Sequence, residues 1–459
     1  MRIPFAINSY QARSLPLSAQ RLINLYAEKS PQDAKMPVVL YGTPGLSLFA
    51  SVGDGPIRGL HNFNGTLAAV SGDTFYTIDS AGSGTSRGSV EGKGEWAPMA
   101  SSDTELVVVS NDKGWVWNGT TLTQITDGDF LTPRDVTFQD GYHIFSEKDS
   151  NTFFISELRD ATSYVATDFA LAEGDADDIV AVISDHRELW VFGEQTIEVY
   201  YNSGNADFPF ERVSGVFIER GCAARHSVAA EDNTIYWLGD DNVIYRAGNY
   251  SPERVSTHAV ETAIGSYNSV SSAVAGMYTQ DGHKFYVISF DGGTWVYDIS
   301  TGLWHERQSY GFSRWNVNGA AEIYGKVLVG DYKSGNIYQL DLDTYTDNGG
   351  VIQRIAHSPS IHASTYRAVI RRFVIELEAG VGLTTGQGSD PQIALSWSDD
   401  GGRTFGNEHW TTIGAIGRYG VRAVWRRLGQ FRQRVFRLLI SDPVKVAIIA
   451  ANADVEGTD

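Results

Sequence analysis

Short apolar runs rich in Val, Ile, Tyr, Phe and Trp alternate with clusters of Gly, Asp and Asn along most of the chain, and sustained 3.6-residue periodicity is scarce. That pattern predicts strands and turns, not helices. Only Asp175–Val182 and Thr257–Ser266 leave room for a helical turn or two. One unit recurs: an apolar strand enters a turn built on Gly, Asp or Asn, and a strand with an aromatic or β-branched start leaves it. Its copies pair Leu67–Val70 with Thr74–Ile78, Leu106–Val109 with Trp115–Trp117, Tyr142–Phe145 with Thr152–Ser156, and Leu189–Phe192 with Thr196–Tyr200. Three more pair Ile235–Leu238 with Val243–Arg246, Phe285–Phe290 with Thr294–Asp298, and Val327–Val329 with Asn336–Leu340. With Phe75, Trp115, Phe153, Ile197, Ile244, Trp295 and Ile337 as markers, the spacings are 40, 38, 44, 47, 51 and 42.

A four-stranded sheet takes about 40–50 residues, and radial repetition of such sheets is how a β-propeller hides its strand edges. The spacing therefore predicts an all-β protein with a propeller of six or seven blades. A double β-sandwich with irregular strands is the rival architecture. After Asp347-Asn-Gly-Gly350 the repeat stops and the composition turns Arg-rich. Strands then read at Ala368–Leu377, Gln392–Trp397, Arg422–Arg427, Val435–Ile440 and Val444–Ile449, as in a small β-sandwich. The expected organisation is an extended segment over 1–55 that contributes to the propeller or to ring contacts, a propeller over 56–350, and an Arg-rich β domain over 351–459.

Charge separates the two parts. Residues 1–351 hold 23 Lys+Arg against 45 Asp+Glu, a balance of −22, whereas 352–450 hold 13 against 7, a balance of +6. The last nine residues add −3, giving the net −19. An acidic body of this size repels phosphate, which argues against sequence-independent DNA binding by the first 351 residues. From Arg422 to Arg437 the arginines fall at alternate or paired positions around apolar ones, which predicts one buried face and one strongly basic face. Arg426, Arg427, Arg432, Arg434 and Arg437 are its candidate contact residues. A single Cys, Cys222, excludes an intrachain disulfide, so packing and hydrogen bonds must hold the fold. The start of the chain lacks an apolar run of signal-peptide length and no stretch approaches a membrane span. Both predict a soluble protein without a cleaved leader.

Chemistry is scarce. The ten His form no metal-spaced cluster, and neither a GxSxG elbow nor a phosphate-binding loop is present. Asp175-Ala-Asp177-Asp178 and Asp341-Leu-Asp343 lack the continuation of a calcium loop and read as turn carboxylates. Cys222 lies in Arg220-Gly-Cys-Ala-Ala-Arg-His226, where Arg225 and His226 would favour a thiolate, yet no third group stands at a recognisable offset and a plain buried thiol is expected. No catalytic, cofactor or metal residue is assigned. Ser398-Asp399-Asp400-Gly401-Gly402-Arg403-Thr404-Phe405 is similar to the Asp box of sialidase propellers, a hairpin turn that lies away from their active sites. It keeps a propeller glycosidase or glycan-binding lectin as the alternative function, and a glycosidase would need a carboxylate pair.

Several blocks in order resemble the packaged-DNA stabilisation proteins, or tail hubs, of short-tailed bacteriophages that carry tailspikes. They are Arg21-Leu-Ile-Asn-Leu-Tyr-Ala-Glu28, Tyr41-Gly-Thr-Pro-Gly-Leu46 and Arg58-Gly-Leu60; then Asp140-Gly-Tyr-His-Ile-Phe-Ser146 with Phe153-Phe-Ile-Ser-Glu-Leu158; then Val191-Phe-Gly-Glu-Gln-Thr-Ile-Glu-Val-Tyr200; and finally Arg422-Ala-Val-Trp-Arg-Arg-Leu-Gly429 with Arg437-Leu-Leu-Ile-Ser-Asp-Pro-Val444. The resemblance implies a non-enzymatic virion protein that forms a hexameric ring below the portal and adaptor rings. It implies closure of the head after packaging, attachment of tailspike and tail needle or tip, and double-stranded DNA passing through the lumen without specific binding. It carries no cofactor and no catalytic residue. Such a protein is made in the host cytoplasm and ends in the virion tail.

Overall fold

In a computed structural model that describes residues 1–175, 177–362 and 366–458, almost every element is a strand. Seven four-stranded antiparallel units follow one another and form the blades of a propeller, six as separate sheets and one as part of a larger sheet. Blades 1 to 6 span 57–89, 99–124, 133–171, 179–212, 229–254 and 274–307. Blade 7 takes its first three strands from 317–341 and its fourth, Gly45–Ser51, from near the N-terminus. The register runs from Asn336 opposite Ser51 to Asp341 opposite Gly45. The innermost strand of blade 7, Val317–Ile323, packs beside that of blade 1, Ile57–Phe63, which closes the circle.

The repeated hairpin is the second and third strand of every blade, and each marker residue stands on a third strand. Phe75, Phe153, Ile197, Ile244 and Ile337 are wholly buried there. Alternate residues of these hairpins face the two neighbouring blades, so the apolar contacts fall into seven clusters, one between each adjacent pair. Fully burying each large apolar side chain stabilises by about 2–3 kcal/mol, and this is what holds a ring without a single central core.

An eighth cluster belongs to the C-terminal β-sandwich. One of its sheets orders Ala423–Arg426, Arg367–Leu377, Ala447–Thr458, Val38–Gly42 and Leu25–Lys29. The other orders Arg354–His357, Gln433–Ile440, Gln392–Ser398 and His409–Thr412. That second sheet does not end at the domain boundary. Leu22–Ile23 lies between Leu303–Arg307 of blade 6 and Arg354–His357, so blade 6 continues by backbone hydrogen bonding into the sandwich. Asn24 reinforces the join: its Nδ2 donates to the carbonyls of Gln308 and Gln353 at 2.9 and 2.8 Å. The extended segment expected over 1–55 is thus divided: Leu25–Lys29 and Val38–Gly42 build the sandwich, Leu22–Ile23 joins it to blade 6, and Gly45–Ser51 closes the propeller.

Two local expectations meet different outcomes. His258–Ile264 is an α-helix, capped by Thr257, whose hydroxyl accepts the Val260 amide. The stretch 175–182 is not helical where described: Ile179–Asp185 is the inner strand of blade 4. The run of β-branched and small residues there packs against neighbouring blades, and Asp177 is consumed by the amides of Gln195 and Thr196 at 2.6 and 3.0 Å. The fifth sandwich strand, expected at Val444–Ile449, begins at Ala447 and runs to Thr458.

Candidate functional site: the propeller axis and the arginine-rich sandwich

At the centre of the ring the inner strands enclose two chambers, of about 630 and 370 Å³, that share Trp96, Arg225 and His226 in their walls. The connection from blade 1 to blade 2 brings Trp96 inside the ring to blade 7, the neighbour of blade 1. There Gly319, at φ +64°, lacks the Cβ that would stand 2.1 Å from the indole. Arg225 reaches from the blade 4–5 connection to the other side. Its Nη2 donates to Glu95 Oε2 at 2.8 Å, its Nη1 to the Arg134 carbonyl, and its Nε to His226 Nε2 at 3.2 Å. Arg58 holds the same crossing segment, donating to the carbonyls of Gly72, Glu91 and Glu95. Trp96 and Arg225 therefore both stand in the axis, in the walls of both chambers.

The wider chamber is lined by Arg58, Arg134, Arg225 and Arg314 and by Glu95, Glu194, Asp240 and Asp291, four charges of each sign. Among these, Glu95 pairs with Arg225 at 2.8 Å and Asp291 stands 3.9 Å from Arg314. In the smaller chamber burial pushes Asp135 up to about 6, against the pull of Arg225 and of the Val182 and Val136 amides. Asp135 is engaged structurally: it accepts from Val182 across the blade 3–4 seam at 3.0 Å, beside a parallel contact from the Ser184 amide to Thr137. Replacing Arg225 by Ala is expected to destabilise the propeller by about 1–3 kcal/mol. It should also raise amide exchange selectively over 91–98, measured by hydrogen-exchange mass spectrometry.

Cys222 is 3% exposed, its thiol donates to the Ala224 carbonyl at 3.2 Å, and burial pushes its pKa up to about 12. Arg225 turns away to the axis and His226 is held neutral by burial, so the thiol has no activating neighbour. Asp341 bonds the Asp343 amide and the Thr344 hydroxyl, a turn. Among the described residues no group of three His, Cys, Asp or Glu is placed to hold a metal. The Asp box is a hairpin of the sandwich, joining Gln392–Ser398 to His409–Thr412. Asp400 accepts from the Arg403 and Thr404 amides and from the Ser398 and Thr404 hydroxyls, which hold its carboxyl far below the usual range. Phe405 packs on His357 at 4.9 Å. The motif builds a turn in a domain separate from the axial chambers.

The five candidate arginines do not share one face. Arg426, Arg427 and Arg432 are exposed, with no ion pair among the described residues. Arg434 is 2% exposed, and it is bracketed by Trp397 and Phe431 and forked onto Asp399 at 2.7 and 2.8 Å. It cannot be a docking residue. Arg437 is half-buried over Phe405 and paired with Glu408 at 2.8 Å. Alternation alone put these two outside, because the aromatic bracket and the Asp399 partner come from elsewhere in the chain. Arg434→Ala, which also orphans the Leu428 carbonyl, is expected to cost ~2–4 kcal/mol in chemical denaturation.

The family described as bacteriophage P22 Gp10, β-propeller, matches residues 1–345, and its β-sandwich part matches residues 353–456. The chain belongs to the bacteriophage P22 Gp10 family. It is a family of phage tail structural proteins that stabilise packaged DNA. The two matches meet where the sheet of blade 6 passes into the sandwich. No curated protein matches. Among solved structures, the designed Ika8 protein is 16% identical with a TM-score of 0.41, covering 70% of this chain and 100% of its own. BamB from Moraxella catarrhalis is 10% identical with a TM-score of 0.42, covering 70% of this chain and 97% of its own. The extracellular domain of BT4673 from B. thetaiotaomicron is 10% identical with a TM-score of 0.46, covering 64% and 40%. At these TM-scores such likenesses carry no argument, and the assignment rests on the family. No described helix is long and apolar enough to cross a membrane.

Proposed function

We propose that this member of the P22 Gp10 family is the tail hub or nozzle of a short-tailed phage. In this reading it forms a hexameric ring that extends the portal–adaptor channel, closes the filled head, and carries the tailspike and the tail needle or tip. The observation that carries the reading is the match of both domains to the family, and the charge distribution supports it. A wall of the −22 body would let DNA slide past without holding it. The propeller's own axis is occupied by Trp96 and Arg225, so the DNA path in this reading is the lumen between subunits. Arg426, Arg427 and Arg432 are proposed as the contact to an acidic adaptor or ring surface. Glu95 and Asp291 of the wider axial chamber are held to Arg225 and Arg314, and the Asp box is a sandwich turn; neither feature supports the glycosidase or lectin reading.

The test is genome retention. Filled particles made without this protein should leak DNA, and adding the purified chain should restore nuclease-resistant DNA. Charge reversal at Arg426 and Arg427 should weaken that restoration. Retention that is indifferent to the protein would defeat the proposal.

A further inference from the structure

In blades 1 to 5 no further strand pairs with the outermost one among the described residues, leaving a sheet edge of the kind proteins ordinarily protect with charge, Pro or short polar side chains. Gly84–Ser89 of blade 1 is polar throughout, blade 4 presents Glu211 and Arg212, and blade 5 presents Pro252, Glu253 and Arg254. Blade 3 is different. Its outer strand Phe169–Leu171 sets Phe169 and Leu171, at alternate positions, 44% and 40% exposed. The preceding connection adds Leu158 and Val165, 55% and 42% exposed. Acids frame the strip: residues 157–178 hold seven Asp or Glu and a single Arg.

A second unprotected edge lies at the other end of the molecule. The sheet that runs from the inner strand of blade 6 into the sandwich ends on His409–Thr412, beyond which no strand pairs among the described residues; Trp425 Nε1 donates to the His409 carbonyl there, and Trp410 is 45% exposed. Ile416 and Tyr419 follow in the next loop at 55% and 77%, beside Arg418, in the domain whose balance is +6. Blade 3 stands across the seven-membered ring from blade 6, and the sandwich extends outward from blade 6. An apolar edge framed by acids and an apolar edge in the domain of balance +6, where Asp390 bonds Thr412 and Glu408 pairs with Arg437, thus occupy opposite ends of one chain. That is the arrangement a head-to-tail contact requires, the kind that closes into rings.

We infer that the edge at Phe169–Leu171 of one copy docks against the edge at Trp410 of the next, strand to strand. The inference rests on the proposed ring and names its contact. It is tested with the full-length chain by sedimentation over a range of concentrations, alone and on connector particles. The associated species should be lost in the Phe169→Glu/Leu171→Glu double variant and in Trp410→Glu, with circular dichroism and melting unchanged. Oxidising a mixture of Leu171→Cys and Trp410→Cys proteins should give a mixed disulfide dimer that neither protein gives alone, Cys222 staying silent in the core. Same-site dimers, or Glu variants that assemble on connectors in wild-type copy number, would overturn the contact while leaving the hub reading intact. A wild-type chain that remains monomeric both in solution and on connectors would overturn the contact. Wild-type protein that fails to bind connectors at all counts against the hub reading itself.

Discussion

A chain lacking residues 1–52 is expected to show no cooperative unfolding transition by circular dichroism. The deletion removes Gly45–Ser51, the strand that closes blade 7, and leaves the ladder of Asn336–Asp341 unpaired. It also removes Leu25–Lys29 and Val38–Gly42 from one sandwich sheet and Leu22–Ile23 from the other. Leu22, Leu25, Tyr26, Leu40 and Leu46 are all buried, and at about 2–3 kcal/mol each their loss alone rivals the 5–15 kcal/mol that stabilises an ordinary domain. A milder probe is Leu46→Ala. Leu46 is 3% exposed in the cluster between blades 6 and 7, and the substitution should cost ~3 kcal/mol in urea titration. A truncated chain that melts sharply would show that closure is not what holds the ring.

Acid should unfold the protein well above the pH at which carboxylates protonate. His143, His305 and His357 are 0%, 2% and 8% exposed, and burial lowers them from 6.5 to about 4, 3 and 4. Neither nitrogen of His143 has a partner among the described residues, and its ring lies 4.9 Å from that of Phe138. For a His whose folded pKa lies below its unfolded value, the stability it allows is complete above 6.5 and is lost as pH falls toward the folded pKa. Each can withdraw up to about 3 kcal/mol, a sum comparable with the total stability. Asp135 acts in the opposite sense. Its folded value of about 6 lies above 3.8, so its contribution is present at low pH and disappears as pH rises through 6. The three histidines outweigh it. The urea midpoint should fall steeply between pH 6.5 and 4, and His143→Phe should flatten that fall. A midpoint unchanged from pH 7 to 4.5 would contradict the burial of neutral imidazoles.

Much of this architecture was legible because a propeller repeats its instructions. Phe75 and Trp295 answer the same local demand, an aromatic start to a third strand after a Gly- or Asp-built turn, and the blade period follows from their spacing. The seven hairpins marked seven blades, although spacing alone left six open. The N-terminal strands were not legible, since Val38–Gly42, beyond its local pairing with Leu25–Lys29, and Gly45–Ser51 join sheets whose other strands lie some 300 to 400 residues away. The same limit governs the candidate contacts. Arg426 and Arg427 stand out in solvent as alternation implies, but Arg434 is drawn inward by Trp397, Asp399 and Phe431, which come from other strands and loops. Arg225, first notable only as a neighbour of Cys222, is an axial strut because Glu95 lies across the ring. Long-range pairing of charges leaves no periodic trace.

The claim on which the function depends is that this wheel and its attached sandwich assemble on the portal vertex as a passive conduit. Electron microscopy of connector particles with and without the purified protein tests it most directly. The expected image is an added ring of six elongated subunits coaxial with the portal, with an open lumen between subunits wide enough for duplex DNA. Particles whose vertex is unchanged by the protein, or single copies bound elsewhere on the surface, would contradict the account.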